Sequence, residues 1–473
     1  MSGEGKKVSR RKFLYAAGAV VAAAVIGSVA YFVTRPTEVK PTTTPTTPRK
    51  KKIVYWYHET PSWRVARYNE INRLFMETHP DIEVESVVMS WDEAYVKYPA
   101  ALEAGTEPDF CFTEPTFCDL LVNEYNCLLP VDDIYKEIDS LHKYRSPEIG
   151  RHFYFKGHYW LVPYLTIGQL VYYNTAILDK YGAPNPPDTW EKMIEAGQKC
   201  YDPKNGIYGW GLPVSPYFYS DQVIYNFFIA NETDFIDEKW EPAINNERTI
   251  ECLETYVAMA KTGPPDITRW QWGDEDLAFA TGKIMGGINF TCTLDAIVKY
   301  NPGIIGDFKV MRMPKPKGGP NGGIVYPQGA CIFKAAEKRG NLDAVYEFIR
   351  FVMEPEINAY LLHCDPVFLP VTRDVTEPVG EAPFWNDPRD PSASRVTAIF
   401  KDIFLEAIEL TGSPDAYCIL SSPKYPIPPF RGKLGGSGIL REAVQRVYGG
   451  QPAAEVAAWM EEQVRKIISE YKK

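Results

Sequence analysis

The length and charge of the chain exclude several classes of protein. Its 473 residues exceed one ordinary hydrophobic core and fit two lobes or domains. The net charge of −10 divides into +9 over residues 1–52 and −19 over the remainder. An acidic body lacks the basic face that phosphate binding requires, so we predict that nucleic acid is not a partner.

Residues 1–34 have the pattern of an export signal. Arg10 and Arg11 precede an uncharged stretch rich in Ala and Val, from Tyr15 to Thr34, which resembles a twin-arginine (Tat) signal. The alternative is an ordinary membrane anchor with a basic flank. The apolar run, about 20 residues, is long enough to span a bilayer, so we expect it to hold the protein at the membrane if it is retained.

A segment rich in Pro and Thr follows over residues 35–52. Segments of this composition bury no core and tend to remain extended. We therefore predict a stalk between the signal or anchor, 1–34, and the folded body.

Strand and helix patterns alternate along the first part of the body. Lys52–Tyr57, Ile82–Val88 and Pro108–Phe112 have the composition of strands, while residues 64–77 and 91–104 have helical periodicity. This β-α-β-α-β order predicts an α/β fold with a parallel sheet whose faces are covered by helices.

Ligands of such sheets bind outside the carboxyl ends of the strands. That rule identifies a first set of polar candidates at the ends of two predicted strands. They are His58, Glu59, Thr113, Glu114 and Thr116.

The chain contains no recognisable catalytic or metal signature. G-x-S-x-G, H-E-x-x-H and the phosphate-binding loop are absent, and the nine cysteines include no CxxC pair. The acidic run Asp274-Glu275-Asp276 is predicted to lie exposed at a helix start, where it complements the helix dipole. We predict a binding protein with no cofactor and no metal, not an enzyme.

Short motifs along the body resemble one family. FMETHPDIEV (75–84), ALEAGTEPD (101–109), FKGHYWLVPY (155–164), PPDTW (186–190) and FATGKIM (279–285) follow one another in that family's order. Each motif is weak alone, but together they are specific. The chain resembles the extracellular solute-binding proteins of family 1, the maltose-binding type.

The resemblance implies a two-lobed periplasmic-binding-protein type II fold (Venus flytrap) joined by interlobe hinge strands. Crossings are expected near Val162-Pro163, Val310 to Pro314 and Val367 to Val371. The N-terminal lobe would comprise 53–162 plus 312–368, and the C-terminal lobe 163–311 plus 369–473. The implied function of such a monomer is to capture a sugar or oligosaccharide and deliver it to the permease subunits of an ABC transporter. The Pro/Thr stalk resembles that of surface-anchored binding proteins of archaea.

The resemblance also adds candidate ligand residues. Tyr217 matches a stacking tyrosine of the family, whereas Cys292 falls where the family has a stacking tryptophan. Other aromatic and polar candidates are Trp210, Trp270, Trp272, Asn289 and Gln328.

Several alternatives remain open. Asn289 and Asn231 each begin an N-glycosylation sequon, and we favour a ligand role for Asn289. Tyr172-Tyr173 raises the possibility of iron, because a related branch of these proteins binds iron through paired tyrosines. The solute could instead be a peptide, the lobes could serve a sensor, or the protein could be a secreted carbohydrate-active enzyme.

Overall fold

The computed structural model describes residues 50–319 and 322–471. The predicted signal or anchor, 1–34, and nearly all of the predicted stalk lie outside the described residues. Among the described helices, none combines the length and the apolar character needed to cross a bilayer.

The strands have the following bounds. They are β1 (Lys51–Tyr57), β2 (Ile82–Val88), β3 (Phe110–Thr113), β4 (Tyr154–Phe155), β5 (His158–Tyr159), β6 (Val162–Gly168), β7 (Leu170–Asn174), β8 (Tyr208–Trp210), β9 (Ile284–Asn289), β10 (Phe308–Met311) and β11 (Val325–Ile332).

The helices have the following bounds. They are α1 (Ser62–Thr78), α2 (Trp91–Ala104), α3 (Pro115–Asn123), α4 (Asp132–His142), α5 (Pro147–Arg151), α6 (Thr175–Lys180), α7 (Trp190–Lys199), α8 (Phe218–Ala230), α9 (Glu247–Ala260), α10 (Asp274–Ala280), α11 (Thr293–Tyr300), α12 (Lys334–Lys338), α13 (Leu342–Met353), α14 (Pro355–Leu362), α15 (Pro391–Ile399), α16 (Lys401–Thr411), α17 (Arg431–Gly435), α18 (Ile439–Tyr448) and α19 (Ala453–Tyr471). The predicted β-α-β-α-β order of residues 52–112 is confirmed by β1 to β3.

The first sheet has the strand order β2-β1-β3-β11-β6. β1 pairs in parallel with β2 and β3, and β11 runs antiparallel to β3 and β6. Alternation along the strands sends side chains to two different cores. Tyr55 and Phe110 lie in the larger core, whereas Cys111 and Cys331, which face each other across β3 and β11, lie in a smaller core on the other face.

The second sheet has the order β10-β7-β9-β8, with β8 and β9 parallel and the other pairs antiparallel. The chain passes from the first sheet to the second at Gln169, between β6 and β7, and returns between β10 and β11. The first crossing therefore lies several residues beyond Val162-Pro163, because β6 still pairs with β11 up to Gly168. The segment that follows α14 also pairs with β6, through a β-bridge between Leu369 and Thr166.

The C-terminal helices pack on helices that flank the two sheets. α18 packs on α8 and α9, whereas the short helix α17 packs on α3, which follows β3 of the first sheet. Gly432 permits that approach, because a Cβ there would lie 2.8 Å from the carbonyl oxygen of Thr116. Arg431 is fully buried in the same contact and donates to the carbonyl oxygens of His152 and Pro115.

The nine cysteines all lie within the described residues and all are free thiols. Seven are buried and two are partly buried. The fold therefore does not depend on disulfide bonds in this structure.

Replacing Trp210 by Ala should strongly reduce stability, because the ring is fully buried and its indole N–H donates to the carbonyl oxygen of Met193. We expect a loss of about 3–5 kcal/mol in the free energy of unfolding, measured by denaturant titration. Trp272→Ala is the matched control, since that ring is 44% exposed and should cost much less. An unchanged denaturation midpoint for Trp210→Ala would contradict its place in the core.

Candidate functional site

The ends of β1 and β3 form one wall of the candidate site. These parallel neighbours carry His58 and Glu59 directly after β1, and Thr113 and Glu114 at the end of β3. Thr116 follows in the first turn of α3. The structure therefore brings these five predicted residues to one edge of the first sheet, and all five are buried.

Glu114 serves chiefly as the N-cap of α3. Its carboxylate accepts hydrogen bonds from the backbone N–H groups of Thr116 and Phe117, each at 2.7 Å, and from the Thr116 hydroxyl at 2.8 Å. Burial raises the pKa of Glu114, and these donors oppose the shift. With both oxygens engaged, Glu114 and Thr116 mainly shape the wall of the site.

His58 is buried without a hydrogen-bond partner of standard geometry among the described residues, on either ring nitrogen. Its ring lies 4.2 Å from that of Trp91, centroid to centroid, and near Tyr98 and Phe117. Burial lowers the pKa of His58 to about 3. The side chain is therefore a neutral imidazole, and a loose contact with the Met89 backbone opposes the shift. The Thr113 hydroxyl is likewise buried with no hydrogen-bond partner of standard geometry among the described residues.

Glu59 belongs to a cluster centred on Arg64. The Arg64 guanidinium donates to Glu59 and, at 2.8 and 3.0 Å, to one carboxylate oxygen of Asp365. The same oxygen accepts from the indole N–H of Trp63 at 3.3 Å. One guanidinium thus neutralises two buried carboxylates. Trp63, Arg64 and Asp365 were not among the predicted site residues, although Trp63 and Arg64 lie in the first turn of the helix after β1.

The second sheet contributes an aromatic wall at the end of β9. Trp272 stacks on Phe290 with ring centroids 5.1 Å apart and planes 12° apart, and lies 5.5 Å from Tyr219. Tyr217 is 42% exposed and its hydroxyl accepts from the Gln271 amide at 3.0 Å. Tyr217 and Trp272 are thus neighbours with exposed faces.

The other two tryptophan candidates lie in the core. Trp210 is fully buried, with its indole clamped between Gly197 and Gly286, where a Cβ would lie 2.7 and 2.9 Å from the ring. Trp270 is 4% exposed and packs against Gly211. Both rings therefore pack inside the second lobe and, unlike Trp272, present no exposed surface.

Asn289, the last residue of β9, is used inside the protein. Its amide donates to Asp276 at 3.0 Å, its side-chain oxygen accepts from the N–H of Phe290 at 2.8 Å, and it is 1% exposed. It therefore orients the loop that carries Phe290. Burial also leaves no room for a glycan on this sequon in the folded protein.

Two of the three residues of the acidic run at 274–276 lie inside the protein. Glu275 is fully buried, accepts from the phenols of Tyr172 and Tyr219, and accepts from the N–H of Ile288 at 2.9 Å. Asp276 accepts from Asn289 and from the Thr293 hydroxyl. The prediction of exposure holds for Asp274 and is wrong for Glu275 and Asp276, because these two carboxylates bind α10 to β9 and to the start of α11.

Tyr172 and Tyr173 are both buried, so neither phenol is presented for a shared ion. Among residues 50–319 and 322–471, no group of three His, Cys, Asp or Glu side chains has the arrangement of a metal site.

The start of β11 supplies polar groups between the two walls. Gln328 lies buried at the irregular register of β11 with β6, and Tyr326 is two residues before it. Tyr326 faces Phe218 of α8, with ring centroids 6.4 Å apart. The Tyr326 hydroxyl and the Gln222 side chain contact each other inside the protein, although the contact falls short of standard hydrogen-bond geometry. Tyr326 and Gln222 were not among the predicted site residues, because no sequence motif marks these positions.

Two cavities adjoin these elements. One, of about 390 Å³, lies beside the Arg64 cluster between the start of α1, residues 362–368 and α11; we call it the junction cavity. The other, of about 690 Å³, lies between residues 232–248 and 417–425 and contains none of the predicted site residues.

Replacing His58 by Phe should change how stability depends on pH. Because the pKa in the folded state is depressed, the unfolded chain binds a proton at His58 below about pH 6.5 that the folded chain does not. The contribution of the neutral His58 ring to the free energy of unfolding is therefore lost as the pH falls below about 6.5. Relative to the variant, the wild type should lose about 1.4 kcal/mol per pH unit between pH 6 and 4.

Denaturant titrations of both proteins at several pH values measure this difference. The buried carboxylates with raised pKa, such as Asp119, are common to both proteins and cancel. A difference that does not vary with pH would contradict a buried neutral imidazole.

Comparisons with known proteins agree with this architecture. The maltotriose-binding protein of Pyrococcus abyssi is 24% identical over 348 residues, which cover 71% of this chain and 69% of that protein. The mannitol-binding protein of Pseudomonas aeruginosa is 21% identical over 46% of this chain and 50% of that protein.

Among solved structures, an ABC transporter solute-binding protein of Thermotoga lettingae bound with α-D-tagatose matches with a TM-score of 0.70 and 21% identity, over 88% of this chain and all of that one. Maltose-bound MalE3 of Thermotoga maritima matches with a TM-score of 0.68 and 18% identity, over 88% and 99%. These likenesses show a two-lobed fold of the type II binding-protein class. The family model described as bacterial extracellular solute-binding protein matches residues 60–359, and the chain belongs to that family.

Proposed function

We propose that this protein captures a sugar or oligosaccharide outside the cell and delivers it to the permease subunits of an ABC importer. Membership of the extracellular solute-binding family supports the binding role. Relatives named for maltotriose and mannitol, and solved structures holding tagatose and maltose, support sugars and related polyols as the class of solute.

The observation that carries the sugar proposal is the pairing of two kinds of surface. Tyr217 and Trp272 are partly exposed aromatic side chains. The Thr113 hydroxyl is buried with no hydrogen-bond partner of standard geometry among the described residues, and His58 and Tyr326 have only loose contacts, with the Met89 backbone and the Gln222 side chain. Sugars have C–H faces that stack on aromatic rings and hydroxyl groups that satisfy such polar atoms. A buried polar atom left unpaired costs free energy, which a bound hydroxyl would recover.

The site lies between two lobes, each built around one sheet. In this proposal the N-terminal lobe contains β1–β6 and β11, and the C-terminal lobe contains β7–β10. Gln169, the segment between β10 and β11, and the region after Leu369 are the hinge. A solute that contacts both lobes favours the closed form by its differential affinity for the two states.

The proposal assigns the protein no catalytic activity and no metal requirement. Its relatives are binding proteins, and the carboxylates at the site are consumed by structural roles. Glu114 caps α3, Glu59 and Asp365 share Arg64, and Asp276 holds Asn289. None of these carboxylates is left as an accessible acid-base pair.

The proposal places the protein outside the cell as a monomer. Residues 1–34 would direct Tat export and then hold it at the membrane, with residues 35–52 as the stalk. The family's extracellular role supports this location.

The proposal is tested with a panel of glucose, mannitol, maltotriose, cellotriose and a tripeptide. We expect at least one sugar to bind by calorimetry, with a negative heat-capacity change because closure buries apolar surface. Added chelator should leave the affinity unchanged, and the bound sugar should be recovered intact. X-ray scattering should show a smaller radius of gyration with sugar. Binding of the tripeptide alone, or breakdown of the sugar, would overturn the proposal.

Replacing Tyr217 by Ala should weaken sugar binding by about 1–3 kcal/mol, the scale of a lost buried aromatic contact. The denaturation midpoint should change little, because the ring is 42% exposed in the structure. Tyr201→Ala is the control, since that ring is similarly exposed at 46% and lies at the end of α7, away from the site. A Tyr217→Ala protein that is destabilised yet binds normally would show a packing role.

A further inference from the structure

Four of the nine cysteines share the smaller core, on one face of the first sheet. Cys111 lies on β3, Cys331 on β11, Cys118 on α3 and Cys127 in the loop after α3, and all four are buried free thiols. A free thiol packs in a core as a small apolar group. Thiols that pack against one another are also the ones that oxidation can join.

Cys111 and Cys331 are the two thiols whose backbone positions suit a disulfide bond. They lie directly opposite each other in the antiparallel register, next to the pair of Phe112 and Ala330. Opposed residues of antiparallel strands have Cα atoms about 4.5–5.5 Å apart, and disulfide bonds join Cα atoms about 4.4–6.8 Å apart. Both side chains enter the same core, and the Cys331 thiol contacts the Cys111 thiol. The bond therefore requires no movement of either strand.

Cys118 is the competing partner, because the Cys331 thiol contacts it as well. The Cys118 and Cys127 thiols, however, each donate to a backbone carbonyl oxygen, at 3.8 and 3.3 Å. Cys118 also lies on a helix, whereas Cys111 and Cys331 are fixed by one strand register. The geometry therefore favours the pair that joins β3 to β11.

Burial determines when such a bond can form. Cys111 and Cys331 are fully buried, and Tyr98 of α2 and Phe117 of α3 pack in the same core with ring centroids 5.0 Å apart. Burial also raises the pKa of Cys331, which disfavours the reactive thiolate in the folded protein. An oxidant in solution therefore reaches these thiols before the helices pack on the sheet, and the folded protein retains the state that it acquired.

We propose that Cys111 and Cys331 form a disulfide bond when the chain folds in the presence of a disulfide oxidant, and remain thiols when it folds under reducing conditions. One cysteine thiolate attacks the S–S bond of the oxidant, which gives a mixed disulfide and releases one thiol. The second thiolate attacks the cysteine sulfur of the mixed disulfide and releases the other thiol. The two cysteines lose two electrons, the oxidant gains them, and the two cysteine protons end on the released thiols.

The bond would close the part of the chain that forms the second sheet. β3 precedes and β11 follows the strands β7 to β10, so a link between them encloses all four in one loop. Closing a long loop lowers the entropy of the unfolded chain and so stabilises the folded protein. A chain that folds in a reducing compartment before export carries the thiols, and a chain that folds outside carries the bond.

Refolding of the wild type under two redox conditions tests the proposal. The protein is unfolded in guanidinium and refolded with either a mixture of reduced and oxidised glutathione or dithiothreitol, and its thiols are then alkylated under denaturing conditions. We expect the thiols to fall from nine to seven with glutathione and to remain nine with dithiothreitol. Peptide mass mapping should join the peptides of Cys111 and Cys331. The oxidised protein should have the higher denaturation midpoint.

Two further samples test the pairing and the role of burial. Cys331→Ala should not gain the bond, whereas Cys200→Ala, which removes a buried thiol of the larger core, should lose two thiols as the wild type does. Folded wild type that was prepared with dithiothreitol and then given oxidised glutathione without denaturant should keep its nine thiols.

Three results would overturn the proposal. They are nine thiols after refolding with glutathione, a bond that maps to another pair such as Cys118 and Cys331, and oxidation of the folded protein as fast as of the refolding chain. The thiol count and the mapping need only the wild type, so the proposal stays testable if a variant does not fold.

Discussion

The buried amide of Asn226 ties together two of the passages between the sheets. Its nitrogen donates to the side-chain oxygen of Gln169 at 2.6 Å, and its oxygen accepts from the N–H of Ile324 at 2.9 Å. Gln169 also donates from its backbone to the carbonyl oxygen of Ile324 at 3.0 Å. Because Gln169 joins β6 to β7 and Ile324 precedes β11, this network fixes where the two sheets meet.

The aromatic wall depends on a second buried group, the Glu275 carboxylate. Burying a carboxylate is costly unless it is hydrogen-bonded, and Glu275 has three donors from β7, α8 and β9. Burial raises the pKa of Glu275 well above its usual range, and the hydrogen bonds from Tyr172 and Tyr219 oppose this shift. The consequence is geometric: α8, α10 and β9 are held together, and Trp272 packs against Tyr219 and Phe290.

The acidic side chains around the site mainly hold neighbouring segments in place through hydrogen bonds. Glu114 is satisfied by the first turn of α3, and Asp276 by Asn289 and Thr293. The polar side chains of His58, Thr113 and Tyr326, which make no hydrogen bond of standard geometry within the described part of the chain, are neutral. A neutral solute with many hydroxyl groups is the natural complement of such a set, since it can satisfy each atom without a burial cost for charge.

The sequence alone determined the local elements and the family. Alternation and helical periodicity predicted β1 to β3 and the intervening helices, and the motifs from Phe75 to Met285 indicated the two-lobed fold. Rules about strand ends also located His58, Glu59, Thr113 and Glu114, because the carboxyl ends of neighbouring parallel strands necessarily share one edge. These inferences succeed because they depend only on residues close together in the chain.

Only the tertiary structure decided which side chains remain available to a ligand. Trp210, Trp270 and Trp272 are alike as residue types, but long-range packing buries the first two and leaves the third exposed. Asp274-Glu275-Asp276 resembles a solvated helix start, yet Tyr172 and Tyr219, distant in sequence, draw Glu275 inside. Trp63 acquires its fixed position from Asp365, about 300 residues away. Which side chains stay exposed, and which residues they contact, depends on packing between distant segments of the chain. A local sequence pattern therefore does not predict it.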